Sequence, residues 1–157
     1  MTKQRVLVLC TGNSCRSQMA EGMINAFAGD RWHAESAGTQ PAGYVHPTAV
    51  EAMAELGVDL AGSRSKSTEE FRGQAFDLVI TVCGDADENC PAWLGSGQRV
   101  HIGFPDPAKV TGDAATVQSA FRAVRDDIRR DVLIYLNQFE SQQVEHLPTD
   151  APARPAL

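Results

Sequence analysis

Cys10-Thr11-Gly12-Asn13-Ser14-Cys15-Arg16-Ser17 lies between an apolar run, Val6-Leu7-Val8-Leu9, and the stretch Gln18-Met19-Ala20-Glu21-Gly22-Met23-Ile24. The run reads as a buried strand and the following stretch as a helix. A loop between a strand and a helix aims its backbone N–H groups at one point, and the helix dipole adds positive potential there. Such a nest holds a tetrahedral oxyanion. Positive surroundings favour a reactive thiolate at its base, and the planar fork of Arg16 is suited to gripping two oxyanion oxygens. The octet therefore predicts Cys10 as a thiolate nucleophile beneath an oxyanion held by Thr11, Gly12, Asn13, Ser14, Cys15 and Arg16. Reading Cys10 as the inert end of a core strand would leave Gly12, Asn13, Arg16 and Ser17 unexplained together.

Outward from the octet, strand and helix character alternate. Arg5–Leu9, Trp32–Ser36, Leu78–Val82 and Arg99–Gly103 read as strands. Ser17–Ala28, with Met19, Met23 and Phe27 four apart, reads as a helix, as does Pro47–Leu56, with Pro47 in its first turn and Gly57 as its cap. Thr116–Phe139 is a long amphipathic helix whose apolar stripe, Val117 to Phe139, is core packing. This alternation predicts an α/β fold: a four-stranded parallel sheet, order 2-1-3-4, with helices on both faces. The active loop then lies at the carboxyl end of the first strand, beside the third. Cys83 ends that third strand, so it is expected near Cys10.

With 157 residues the chain is expected to form one domain, residues 1–140, followed by a Pro/Ala-rich disordered tail, 141–157. A net charge of −6 gives no support for nucleic-acid or membrane-surface binding. No apolar stretch is long enough to span a bilayer, and the start of the chain lacks a leader pattern, so a cytoplasmic location is expected. The cysteines stand at 10, 15, 83 and 90. In a reducing compartment they read as redox or catalytic groups rather than a disulfide framework. No histidine stands at zinc-site spacing from any pair, so no metal cluster is expected.

The octet, Ser36-Ala37-Gly38-Thr39, Asp106-Pro107 and the order of elements resemble the low-molecular-weight protein tyrosine phosphatases. Over about residues 4 to 139 the chain is more similar to the thioredoxin-coupled arsenate reductases built on that fold. The segment Val82-Cys83-Gly84-Asp85-Ala86-Asp87-Glu88-Asn89-Cys90-Pro91 discriminates, because the phosphatase needs one cysteine and the reductase three. The resemblance implies that Cys10 attacks arsenate held by the loop and Arg16, that Asp106 protonates the departing oxygen, and that Ser17 hydrogen-bonds the Cys10 thiolate. Cys83 then attacks the Cys10 sulfur, releasing arsenite. Cys90 attacks Cys83, and thioredoxin, the external reductant, reduces the final disulfide. No tightly bound cofactor is implied, and a monomer is expected. Cys90 would have to move within Gly84–Gly97. Cys15 is expected to be structural, and Asn13, whose residue type tolerates a left-handed backbone, to hold the loop shape.

Some relatives bind potassium beside the loop through Asn13, Glu21, Ser36 and a downstream acid. That acid position falls at Lys66 here, so no potassium requirement is expected and the ammonium is expected in the ion's place. Two other readings stay open. A phosphotyrosine phosphatase would use Cys10, Arg16 and Asp106; Tyr44 favours it and Ala108, where phosphatases usually carry tyrosine, disfavours it. A non-enzymatic, redox-responsive oxyanion-binding module would use the same loop without turnover.

Overall fold

The computed structural model describes residues 2–84, 93 and 95–145. Four strands, β1 (Gln4–Cys10), β2 (Trp32–Gly38), β3 (Leu78–Cys83) and β4 (Gln98–Phe104), pair in parallel in the order β2-β1-β3-β4. Leu9 stands opposite Ala37 on one side and Thr81 on the other, and Cys10 opposite Gly38. A register shift between Thr81 and Cys83 sets Cys83 opposite Phe104.

Alternation along β1 divides the core in two. Val6, Val8 and Cys10 join Leu78, Ile80 and Val82 beneath three helices: α1 (Arg16–Phe27), α2 (Pro47–Ala54) and α3 (Ala114–Glu145). Leu7, Leu9 and Val79 face the other way, against Phe71, Phe76 and Trp93. Handedness accounts for part of this division. The β1-to-β2 connection moves one way across the sheet and the next two move the other way, so right-handed crossovers put α1 on one face and Phe71 and Trp93 on the other. α2, although it belongs to the β2-to-β3 connection, packs on the α1 face before the chain crosses to Phe71. On the second face the described cover is the 3₁₀ turn Thr68–Phe71 and Trp93, rather than an α-helix. Phe76 meets Phe71 and Trp93 edge-on, with ring centroids 6.0 and 5.9 Å apart.

The α3 stripe is core as expected: Phe121, Val124, Ile128, Val132 and Phe139 are buried and Leu136 joins them, while Val117 and Tyr135 are half-buried. The α1 stripe differs. Met19 and Met23 are buried, but Phe27 is 38 % exposed. The Arg129 guanidinium lies over the Phe27 ring at 4.5 Å. α2 is also shorter than the expected Pro47–Leu56, ending at Ala54 before turn residues that lead to Gly57 at φ +78°. α3 runs past Phe139, through part of the expected tail, to Glu145. Polar pairing supports that extension: Glu140 accepts from Trp32 Nε1 at 2.6 Å and Arg31 Nε at 2.9 Å, and Gln143 accepts from Gln4. Residues 146–157 lie outside the described part.

Candidate active site

β1 delivers the buried Cys10 to a pocket of about 300 Å³, lined by residues 10–16 with Gln40, Asp106 and Lys109. α1 begins at Arg16, and no side chain caps its first N–H groups. Uncapped N–H groups at a helix start are the donors an oxyanion site requires. Three backbone bonds hold the loop against its surroundings: Gln40 N to Thr11 O at 3.0 Å, Ala42 N to Gly12 O at 2.8 Å and His46 N to Ser14 O at 2.9 Å. Gly38 makes the approach of β2 to the loop possible, since a Cβ there would lie 2.3 Å from Thr11 O.

Asn13 organises the loop interior. It is fully buried at φ +49°, the left-handed conformation its residue type tolerates. Its amide donates to Ser17 Oγ at 2.8 Å and Ser36 Oγ at 2.9 Å. Its Oδ1 accepts from Gln18 Nε2 at 2.9 Å and from Lys66 N at 2.8 Å. All four hydrogen-bonding positions of the side chain are thereby used. Because Ser17 Oγ accepts from Asn13, its own proton is available to Cys10 Sγ, 2.8 Å away. The Asn13 backbone N–H donates to the same sulfur at 3.2 Å. Of these four partners only Lys66 contributes a backbone group; side chains supply the rest.

Arg16 is buried, with Nη1 donating to Phe104 O at 3.0 Å and Nη2 lying 3.7 Å from Asp106 Oδ2. Asp106 caps the 3₁₀ turn Pro107–Lys109, its Oδ1 accepting from Ala108 N at 3.0 Å. Cys10, Arg16, Ser17 and Asp106 are thus brought together, with the loop residues Thr11, Gly12, Ser14 and Cys15 around them. Cys10, Cys15 and Cys83 are buried reduced thiols. Cys83 ends the strand neighbouring the one that ends in Cys10, and parallel strands lie about 4.8 Å apart. Cys90, with residues 85–92, lies outside the described residues.

Cys15 is chemically distinct. Burial pushes its thiol up to about 12; the charges of Asp106 and Cys10 add to that rise, while the Ser14 hydroxyl and Arg16 oppose it. It is a poor candidate for a thiolate.

The potassium position is filled by protein. Lys66 Nζ lies 3.1 Å from Glu21 Oε1, Ser36 donates to the same oxygen at 2.8 Å, and the Asn13 carbonyl oxygen is already saturated. These residues do not fit a potassium ion. Among the described residues no group of three or more His, Cys, Asp or Glu side chains could hold a metal, and no helix is long and apolar enough to cross a membrane.

Gln40 and Lys109 line the pocket and were missed in the sequence. For Lys109 a signal existed: it stands three residues after Asp106, the spacing that eclipses side chains in a 3₁₀ turn. Tyr44, in the loop packed on residues 12–14, is 56 % exposed and does not line the pocket.

A parallel α/β sheet with a cysteine, an arginine and an uncapped helix start converging at one strand end defines an oxyanion-handling thiol protein. Residues 5–145 match the family model described as low molecular weight phosphotyrosine protein phosphatase, and the chain belongs to that family. It is 46 % identical over 132 residues to a protein of Halalkalibacterium halodurans named arsenate reductase, covering 84 % of this chain and 94 % of that one. A solved arsenate reductase in its reduced state is 30 % identical with a TM-score of 0.69, over 87 % of this chain and 98 % of that one. A thioredoxin-dependent arsenate reductase of Corynebacterium glutamicum is 26 % identical with a TM-score of 0.57, over 91 % of this chain and 63 % of that one.

Proposed function

We propose that this protein reduces arsenate to arsenite through a Cys10–Cys83–Cys90 relay regenerated by thioredoxin. The observation that carries the proposal is Cys83 at the end of β3, on the strand beside the one that ends in Cys10. A phosphoryl-transfer enzyme has no use for a second thiol there. The relatives named arsenate reductase support the same reading.

The chemistry follows from the site. Arsenate binds with oxygens on the loop N–H groups and Arg16. The Cys10 sulfur attacks arsenic, and Asp106 gives a proton to the departing oxygen, which leaves as water. Cys83 thiolate next attacks the Cys10 sulfur. The sulfur–arsenic bond breaks, its electron pair stays on arsenic, and arsenic falls from the +5 to the +3 state as arsenite. A Cys10–Cys83 disulfide remains. Cys90 thiolate attacks Cys83 and frees Cys10, and thioredoxin supplies two electrons to the Cys83–Cys90 bond. Ser17 and the Asn13 N–H donate to the Cys10 sulfur when it carries charge. A reducing compartment, the cytoplasm, keeps these thiols available.

The test is NADPH consumption with arsenate, thioredoxin and thioredoxin reductase, and a parallel assay with a glutaredoxin system. Sustained arsenite production with thioredoxin is expected. Hydrolysis of an aryl phosphate without arsenite production would instead establish a phosphatase. One equivalent of oxidation with no turnover would establish a binding module.

A further inference from the structure

One short turn carries two opposite charges to the pocket. Asp106 caps Pro107–Lys109, Lys109 N donates to Asp106 O at 3.2 Å, and both residues line the cavity. Side chains three apart eclipse in a 3₁₀ turn, so the acid and the ammonium share one side of it. Pro107 is buried and the turn packs against α3, which fixes its direction. Arg16 already faces Asp106 at 3.7 Å, which offsets part of its charge. Lys109 is then the second cation of the lining, in a chain of net charge −6.

The outward direction is the informative one. An oxyanion seated on the loop gives its inner oxygens to the N–H groups and Arg16, and its remaining oxygen points to the mouth. Asp106 serves that outward oxygen in the proposed reaction, and Lys109 is three residues further along the same turn. In a free inorganic oxyanion the outward atom is a charged oxygen or a hydroxyl. In a phosphate monoester it carries an organic group. Among the described residues the lining contains no aromatic or aliphatic side chain beyond the loop itself that would receive such a group; Gln40 completes it. We propose that Lys109 is a specificity residue that binds the outward oxygen and so selects unsubstituted inorganic oxyanions over organic esters. This rests on the oxyanion site rather than on the redox relay.

The test measures protection of Cys10 from iodoacetamide, read by peptide mapping at fixed ionic strength. The probes are inorganic phosphate and phenylphosphonate, in which an organic group replaces the fourth oxygen. A charge-assisted hydrogen bond at a half-open site is worth about tenfold in affinity. Lys109→Met should therefore weaken phosphate by about tenfold and phenylphosphonate by less than about twofold, and Lys109→Arg should retain the preference. Equal weakening of both probes would overturn the proposal by reducing Lys109 to general charge, and no change in either would overturn it outright. Since Lys109 is exposed, the variant should fold normally, which its Tm checks. In the thioredoxin assay Lys109→Met should raise KM for arsenate more than it lowers kcat. A wild type that shows the phosphate preference yet reduces no arsenate would refute the reductase reading and leave this one standing.

Discussion

Lys66 Nζ stands 3.1 Å from Glu21 Oε1, with only 9 % and 12 % of the two side chains exposed. The carboxylate also holds Ser36, which in turn receives the Asn13 amide. A buried ammonium thus anchors the polar network behind the anion loop. Removing one partner of a buried pair leaves a charge without compensation, at a cost of about 3–5 kcal/mol. Lys66→Met should lower the Tm accordingly, and Lys66→Met/Glu21→Gln should recover most of the loss. Exchanging sodium for potassium at constant ionic strength should leave the wild-type Tm unchanged, whereas Lys66→Asp should create a potassium-dependent rise. A potassium response already present in the wild type would show that the ammonium does not exclude the ion.

The thiol series separates the relay from its neighbours. Cys10→Ser, Cys83→Ser and Cys90→Ser should each abolish multiple turnover with arsenate and thioredoxin, while Cys15→Ser should turn over. After one equivalent of arsenate, Cys90→Ser should hold a Cys10–Cys83 disulfide, because the second exchange has no attacking thiol. Peptide mapping would find that bridge. Full turnover by Cys90→Ser would rule out the three-thiol order.

Much of this was legible in the sequence because short-range rules dominate it. Apolar runs marked the first and third strands, and crossover handedness left few arrangements for the four. The loop was legible because a strand, a glycine and a helix start make an anion nest wherever they occur together. What escaped was set by long-range contact. Phe27 follows the α1 periodicity but stays exposed, with the Arg129 guanidinium over its ring. The end of α3 has no apolar stripe after Phe139; its order comes from Glu140 meeting Arg31 and Trp32, over a hundred positions away in the chain. Asn13 was expected to hold the loop shape, and its four side-chain partners come from positions as distant as Lys66.

Glu55 fastens α2 to α3. It receives Arg122 Nη2 at 2.7 Å and Arg125 Nη1 at 2.7 Å, and Arg125 also donates to Ala52 O at 2.9 Å. These hydrogen bonds, that from Arg122 foremost, hold the carboxyl down at about 2, against 4.5 when unperturbed. A depressed folded value means that the unfolded chain takes up the proton first. The stabilisation is therefore present above about pH 4.5 and fades as the pH falls toward about 2. Glu55→Gln should be less stable than wild type at neutral pH, and the gap should close across that acid window. Urea melts at stepped pH would measure it; a gap independent of pH would mean that shape, not charge, joins the helices.

Cys15 supplies the opposite sign at the alkaline end. Burial raises its thiol from 9.0 to about 12, so the folded protein keeps the proton where the unfolded chain releases it. The stability tied to that proton is complete below about pH 9 and is lost progressively as the pH climbs toward about 12. Within that window the folding equilibrium should fall on the order of tenfold per pH unit from this group alone. Cys15→Ala has no proton to lose there, so its stability should decline less steeply than that of the wild type. Subtracting the two curves removes the contribution of the other alkaline groups. The same retained proton should leave Cys15 unmodified by iodoacetamide at neutral pH while Cys10 reacts. Parallel stability curves, together with alkylation of Cys15 at the rate of Cys10, would place a thiolate at Cys15 and reopen it as a redox group.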